Sequence, residues 1–232
     1  AHGTRAGGYT KQVNWGPHAL PETADYTADG VIFGTQGGTP TTVTRIAYAT
    51  PNWATTPNLL HVRFDTAGWT FTSSINIENL STLNSYGSGT NTVNFSWQQK
   101  DNQTWTVGLG NTLYLAKSFY ARNKTITLNG GGTLFCSSPF DGYGSGNTYG
   151  IKIQNATLKI NGNTTSSAVG LVWIDKQEAR LQLKTTVAIA KALIGPTNRI
   201  RDNVGFGLKV ADIGGGYVEI SPKILGSLIE VQ

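Results

Sequence analysis

Three histidines and thirteen acidic side chains are the residues of this 232-residue chain with the types needed for acid–base or metal chemistry. His2, His18 and His61 are far apart, and the sequence contains neither a His-x-x-x-His pair nor a Cys/His cluster, so no zinc site is predicted. A serine nucleophile needs a Gly-x-Ser-x-Gly elbow, and the two Gly-Ser-Gly segments lack that spacing. Phosphate-binding glycine loops and dinucleotide fingerprints are also missing.

Paired carboxylates would suit a glycosidase, in which one carboxyl group donates a proton and the other acts as a base or nucleophile. Asp65 with Glu78, and Asp175 with Glu178, each lie near a tryptophan. Pairs of this kind arise readily by chance, and surface ion pairs are the favoured explanation of both. Asp141 has potential oxygen ligands nearby, but the spacing departs from the EF-hand pattern and favours a turn-forming aspartate. We therefore expect no enzymatic activity, no metal and no cofactor.

Aromatic and amide side chains in Gly-rich segments are the better candidates for binding. The tetrapeptide Tyr-Gly-Ser-Gly occurs at 86–89 and again at 143–146. Flat aromatic rings stack on sugar rings, amide and carboxylate groups hydrogen-bond sugar hydroxyls, and binding sites occur preferentially on loops. The candidate ligand-binding residues are Tyr143, Asp141, Asn147, Tyr149, Tyr86, Asn84, Trp53 and Trp105. Flexible connectors are the alternative interpretation of the two loops. Trp69, Trp97 and Trp173 are predicted to pack in the core.

The composition favours a β-rich chain of extracellular style. Charged residues are only 13% of the chain, against about a quarter in typical domains. Six Trp, nine Tyr and eight Phe exclude the aromatic-poor composition of a disordered protein. The single cysteine, Cys136, cannot form an internal disulfide, and a buried, inert thiol is predicted. Methionine and a signal-peptide pattern are both absent, so we expect a processed mature form or an excised domain.

Charge is unevenly distributed along the chain. Residues 100–232 carry fourteen basic and eight acidic side chains, an excess that could attract an acidic glycan or an anionic cell surface. These basic residues are spaced singly, as at Lys152 and Lys159, which favours a solvated strand face. Since Lys and Arg do not cluster, no nucleic-acid partner is expected. No apolar run approaches the roughly 18–20 residues of a membrane span, so no membrane insertion is expected.

Two segments, 123–130 and 155–162, are the best-specified structural elements. Each alternates polar and apolar residues, with Leu128 and Leu158 among the apolar positions, and each ends in Asn-Gly. Alternation places the apolar side chains on one face of a strand. Asn-Gly tolerates the positive φ of a tight hairpin turn. Residues 178–194 also keep a period of two, so we predict a strand there, although its alanines permit a helical ending.

About a dozen short strands with turn signals between them indicate an all-β fold. We predict a single antiparallel β-sandwich or jelly-roll-like domain over residues 31–232, preceded by an irregular N-terminal arm over residues 1–30. A β-solenoid is the alternative, because the offset of thirty-two residues between the two Asn…Asn-Gly segments could be one or two rungs of a stacked coil. A solenoid should show at least three copies of its repeat, and the sequence shows two.

Over about residues 120–232 the chain resembles, in general style, bacterial surface adhesins such as autotransporter passengers and fimbrial tip domains. The shared features are alternating Asn/Thr-rich strands, repeated Asn-x-Thr-x-x-x-Asn-Gly units and the near-absence of cysteine. Together with the aromatic, Gly-rich loops, this resemblance implies a non-enzymatic adhesin or receptor-binding domain. The expected partner is a host-surface glycan or glycoprotein receptor. The expected location is extracellular, on a cell or virion surface, within a larger surface assembly.

Two other functions remain open at this point. A structural capsid or fibre subunit is suggested by the Gly- and Pro-containing N-terminal arm and by the missing methionine. A polysaccharide lyase or hydrolase on a β-solenoid is the third hypothesis, with Asp65, Glu78, Asp141 and Asp175 as its candidate carboxylates.

Overall fold

The computed structural model describes residues 2–3, 13–14, 28–34, 42–45, 59–99, 101–121, 123–138, 149–162 and 170–223. Within these ranges the chain forms short β-strands and one helix. In chain order they are β1 (His2–Gly3), β2 (Val13–Asn14), β3 (Ala28–Phe33), β4 (Thr42–Arg45), β5 (Leu59–Phe64), β6 (Thr70–Ser85), β7 (Gly89–Gln99), β8 (Gln103–Thr106), β9 (Asn111–Leu115), β10 (Phe119–Tyr120), β11 (Ile126–Asn129), β12 (Thr133–Cys136), β13 (Gly150–Ile153), β14 (Thr157–Ile160), β15 (Leu171–Ile174), β16 (Arg180–Lys184), α1 (Val187–Ala192), β17 (Ile200–Asp202), β18 (Leu208–Gly214) and β19 (Tyr217–Pro222).

Parallel pairing dominates the described structure. The first sheet contains, in spatial order, β3, β5, β6, β7, β9, β12, β14 and β16, and the second contains β8, β11, β13, β15 and β17. Neighbouring strands in both series run parallel. From β11 to β16 the chain alternates strictly between the two sheets, so each turn of the chain adds one strand to each sheet. This is the pairing of a β-solenoid. The prediction of an all-β chain is confirmed, and the prediction of an antiparallel sandwich is wrong.

The true structural repeat is shorter than the offset seen in the sequence. Leu113, Leu134, Leu158 and Leu181 are successive partners in the first sheet, so their spacings are 21, 24 and 23 residues. The segments 123–130 and 155–162 lie in different sheets, since one contains β11 and the other contains β14. They are therefore not equivalent rungs. Nor does the first Asn-Gly close a hairpin, because residues 130–132 form the corner that leads from β11 to β12 in the other sheet.

Inward side chains fill the space between the sheets. The N-terminal part of this core is aromatic, and its members form a chain of ring contacts with centroids 4.7–6.1 Å apart. They are Phe33, Phe64, Trp69, Phe71, Phe95, Trp97, Trp105 and Phe119. Buried aromatic rings contribute large apolar areas, about 150–250 Å² each. Toward the C-terminus the core becomes aliphatic, as the stacked leucines of the first sheet show. The predictions that Trp69 and Trp97 pack in the core and that Cys136 is buried are confirmed.

The C-terminal rungs depart from regular coiling. The period-two pattern of residues 178–194 corresponds to a strand only in β16, and α1 then replaces the predicted strand. Thr186 caps this helix, since its hydroxyl oxygen accepts a hydrogen bond of 3.3 Å from the Ile189 N–H. The hairpin of β18 and β19 is antiparallel and pairs with β16. Its turn, 214–216, consists of three glycines with positive φ, a conformation that only glycine adopts freely.

The N-terminal segments are described in part. β1 and β2 form an antiparallel pair. The predicted boundary between arm and domain at residue 30 falls inside β3, which pairs in parallel with β5 along its whole length. Among the described residues, no helix has the length and apolar character needed to cross a membrane.

Candidate functional site

Four of the eight residues predicted from the sequence to bind a ligand lie outside the described residues: Tyr143, Asp141, Asn147 and Trp53. Tyr149 is described and lies immediately before β13, with 38% of its surface exposed. Trp105 corrects the expectation of an exposed loop residue. It lies in β8, and its side chain is fully buried among other aromatic rings, so neither face is available to a ligand.

The other two predicted residues, Tyr86 and Asn84, lie near the corner between β6 and β7. Asn84 Oδ1 accepts a 2.9 Å hydrogen bond from the Thr106 N–H of the adjacent rung, so this acceptor already serves the structure. The Arg63 guanidinium carbon lies 5.4 Å from the centroid of the Tyr86 ring. Arg63 also pairs with Asp65 at 2.5 Å. One face of Tyr86 is therefore occupied by a cation that has its own carboxylate partner.

A second group of aromatic residues lies on the outward face of the first sheet. We call Tyr114, Phe135, Lys159 and Tyr217 the outer aromatic strip. Parallel pairing in register places Tyr114 beside Phe135 and Phe135 beside Lys159, one residue on each rung. The Tyr114 and Phe135 centroids are 5.1 Å apart, with an angle of 46° between the rings. Each of the four side chains is half-buried, so part of each remains accessible to a ligand.

Local alternation explains why these side chains face outward. Tyr114 lies between the buried Leu113 and Leu115, Phe135 between Leu134 and Cys136, and Lys159 between Leu158 and Ile160. Successive side chains of a strand point to opposite faces. When each buried residue faces the core, the residue beside it must face solvent.

A row of threonines runs along the same outward face, two residues before the positions of the strip in each strand. Its members are partners on four consecutive rungs, namely Thr90, Thr112, Thr133 and Thr157. Adjacent strands in a sheet are about 4.8 Å apart, so the hydroxyls form a regular row parallel to the outer aromatic strip. The outward face therefore carries the strip along one side and the row of threonines along the other.

The strip has a cation at its centre. Lys159 Nζ lies 5.2 Å from the Phe135 centroid and 4.3 Å from the Tyr217 centroid. Tyr217 is held in place by its hydroxyl, which donates a 2.8 Å hydrogen bond to Asn161 Oδ1. A phenol is protonated at neutral pH and can donate this bond, and burial raises the pKa of the Tyr217 phenol further above its usual value.

The outward face of the second sheet carries a polar cluster around Asp175. Asn203 and Gln154 donate hydrogen bonds of 3.0 Å and 3.1 Å to its two carboxylate oxygens. Burial by itself raises the pKa of Asp175, but these hydrogen bonds and the charges of Lys152 and Lys176 outweigh it and lower the pKa. A carboxylate held ionised in this way is a poor general acid, since an acid catalyst needs its proton near neutral pH.

Trp173 lies on the same outward face and is 8% exposed. The residues on either side of it, Val172 and Ile174, belong to the core cluster, whereas Trp173 does not. Lys152 Nζ lies 5.7 Å from the Trp173 centroid. The prediction that Trp173 is buried is confirmed, but the burial occurs outside the core, against neighbouring rungs.

Other kinds of site find little support in the part of the chain that the structure describes. No group of three or more His, Cys, Asp or Glu side chains there could hold a metal ion. Comparison with known proteins found no match to this chain among family models, curated proteins or solved structures.

The outer aromatic strip was missed by sequence reasoning, although a signal for it exists. Tyr114, Phe135 and Lys159 each occupy the third position of a Thr-Leu-x triplet, at 112–114, 133–135 and 157–159. Aligning these triplets would have revealed both the repeat and the column of outward residues. The repeat is difficult to recognise in the sequence, because the rungs share only this triplet.

Proposed function

We propose that this chain is a non-enzymatic glycan-binding domain of a surface adhesin, in which sugar rings stack on the outer aromatic strip. The observation that carries the proposal is the pair of half-buried rings of Tyr114 and Phe135, whose centroids are 5.1 Å apart on the outward face of the first sheet. Aromatic faces on a rigid β-scaffold are suited to the apolar faces of sugars. Rings placed on strands are also positioned more accurately than rings on loops.

The threonine column supports the same function. Hydroxyl groups of Thr112, Thr133 and Thr157 repeat along the solenoid axis beside the rings. A polysaccharide presents hydroxyl groups at regular intervals as well, so an extended chain lying along the axis can use several rungs at once. Repeated weak contacts add up to useful affinity through multivalency.

The test is glycan-array binding followed by titration of any polysaccharide that scores, using wild type and the variants Tyr114→Ala and Phe135→Ala. Truncation of an aromatic residue at the centre of a binding site typically costs about 2 kcal/mol or more, so we expect affinity to fall by about tenfold or more in each variant. Thermal unfolding of the same variants must show that the fold is retained.

Two controls locate the binding surface. Leu109→Ala removes an apolar side chain that is 82% exposed at the corner between β8 and β9 and is not a member of the strip, so it should leave binding unchanged. Tyr86→Ala tests the corner loop that the sequence favours. Absence of binding to any glycan would refute the proposed function, and loss of binding in Tyr86→Ala alone would move the site to the corner.

A structural fibre or capsid subunit is the second candidate function. It is favoured by β18, which lies at the end of the strand order of the first sheet. Phe206 and Ile213 near this edge are 47% and 46% exposed. Strand edges with exposed apolar residues promote association between chains. Sedimentation of the purified protein over a range of concentrations tests this function, and a monomer at all concentrations would exclude it.

A further inference from the structure

We infer that the outer aromatic strip selects glycans that carry carboxylate groups over neutral glycans. The inference rests on the proposed function and concerns the chemical class of the ligand. It starts from the ammonium group of Lys159, which is flanked by two ring faces at 5.2 Å and 4.3 Å.

The charge of Lys159 is not neutralised by any described residue. Among the ranges that the structure describes, ion pairs join Arg63 to Asp65 and Arg180 to Glu219, and none includes Lys159. Its partners on the adjacent rungs are Phe135 and Gln182, neither of which carries a charge. The ammonium therefore presents its charge to solvent or to a ligand.

The nearest acid on this face is already bound to other groups. Glu219 is the acidic residue among the described outward side chains of β9, β12, β14, β16 and β19, and it lies one rung beyond Gln182. Its Oε2 accepts a 3.1 Å hydrogen bond from Gln182 Nε2. Its Oε1 lies 3.8 Å from Arg180 Nε. These two contacts hold the carboxylate toward β16, so Lys159 has no free acidic neighbour among the described outward side chains of these strands.

The position of this cation relative to the rings determines which ligand fits. Lys159 Nζ lies over one face of Phe135 at 5.2 Å, so a sugar that packs against the exposed remainder of this ring lies beside the ammonium. A carboxylate attached to that sugar can therefore reach the ammonium while the sugar keeps its contact with the ring. The contact would be a charge-assisted hydrogen bond, which is roughly twice as strong as a neutral one. A neutral sugar offers only its hydroxyl groups to the same ammonium.

The ring faces strengthen this preference. They displace part of the water around the ammonium and replace it with cation–π contacts, which are weak at exposed sites. Lysine has three N–H donors and no acceptor, so an incoming carboxylate gives these donors a strong acceptor. The same arrangement makes binding sensitive to salt, because the ion pair is partly exposed.

The experiment compares three polymers: polygalacturonate, its carboxyl-reduced neutral product, and dextran sulfate as a general polyanion. We expect wild type to bind polygalacturonate about tenfold or more tightly than the neutral product, in line with a hydrogen bond to a charged group. Lys159→Gln should abolish this preference and leave affinity for the neutral product unchanged. Lys159→Arg should retain part of it. Lys209→Gln, at an exposed position on β18, is the matched control and should bind as wild type does.

Three other outcomes would each refute the inference, and the three binding patterns differ from one another. Equal affinity for the two galacturonate-derived polymers would refute carboxylate selection while leaving glycan binding intact. Equal binding of dextran sulfate, with no loss in Lys159→Gln, would indicate general attraction to the positive net charge and would also refute it. Failure to bind any of these polymers or any glycan on an array would refute the proposed function as well.

Discussion

The Ser85 hydroxyl donates a 2.7 Å hydrogen bond to Asn111 Oδ1, although the two residues are 26 positions apart in the chain. Both side chains are fully buried or nearly so, at 0% and 2% exposure. Asn91 Nδ2 in turn donates to Ser85 Oγ at 3.0 Å, and Asn111 Nδ2 donates to the Tyr86 carbonyl at 3.1 Å. Buried polar groups stabilise a fold when their partners are all present. This network therefore ties the corner between β6 and β7 to the start of β9 on the next rung.

Substitution of Asn111 by alanine should destabilise the protein strongly. The change leaves the Ser85 hydroxyl and the Tyr86 carbonyl without these partners in a buried environment. An unsatisfied buried group costs about 1–3 kcal/mol, so we expect the free energy of unfolding to fall by about 2–4 kcal/mol in urea denaturation. Asn155→Ala, at an exposed corner position, should change it by less than about 0.5 kcal/mol. Similar losses in both variants would contradict a special role for the network.

Gly150→Ala should prevent normal packing of the second sheet. A Cβ atom at Gly150 would lie 1.9 Å from the Leu171 carbonyl oxygen and 2.8 Å from its carbon, so the backbone of the next rung would have to move. Such overpacking typically costs about 1–3 kcal/mol and occasionally more. Gly34→Ala is the matched control, since its nearest neighbour would be Asp65 Cβ at 3.7 Å, an ordinary contact. Thermal unfolding should show a large fall in Tm for the first variant only.

The Cys136 thiol should be unreactive in the folded protein. Burial raises its pKa from 9.0 to about 12, and the thiolate is the reactive form. We expect labelling by a disulfide reagent at pH 8 to be slow in buffer and fast in denaturant. Rapid labelling of the folded protein would show that the site opens readily.

The same pKa shift should make stability depend on pH in alkaline solution. Below pH 9 the thiol is protonated in both states and adds no pH dependence. As pH rises from 9 toward 12, the unfolded chain ionises while the folded chain does not, so folding becomes less favourable. Comparison of wild type with Cys136→Ala isolates this contribution from those of lysine and tyrosine. Parallel curves for the two proteins above pH 9 would contradict it.

Asp175 should contribute a pH dependence of the opposite sign in acid. Burial by itself raises its pKa, but hydrogen bonds from Asn203 and Gln154 and the nearby lysines lower it overall. The stabilisation is therefore present above the pKa of the unfolded chain and is lost as pH falls through the lower folded value. Asp175→Asn should lose less stability than wild type below about pH 4, the ordinary aspartate range. Parallel loss of stability in wild type and Asp175→Asn below this pH would contradict the contribution of Asp175.

Alternation of apolar and polar residues was sufficient to predict which side chains are buried in several strands. Leu128 and Leu158 both lie in the core, and the continuous apolar run Leu171–Ile174 is a strand buried on both faces. The helix α1 shows where a local pattern is ambiguous. Val187 and Ile189 continue the period of two, but the three alanines of this segment, at 188, 190 and 192, have high helix propensity, and the Thr186 cap begins a helix there.

Strand pairing could not be predicted in the same way. A period of two specifies the face on which a side chain lies but not the strand that lies beside it. Asn129-Gly130 is compatible with a tight hairpin and equally with a corner. At Gly130, with φ of 106°, a Cβ atom would lie 2.4 Å from the Val107 carbonyl oxygen, so glycine serves a close approach between rungs there. That approach depends on a residue 23 positions away.

The candidate site likewise depends partly on the sequence and partly on the tertiary structure. Its residue types, their outward orientation and the all-β class follow from the sequence, because alternation and β-propensity are local properties. Only the tertiary structure places Lys159 beside Phe135, which is 24 residues earlier, and beside Tyr217, which is 58 residues later. Parallel coiling brings together side chains that share a position on successive rungs, and the corners that set the length of each rung vary too much in sequence to reveal that register.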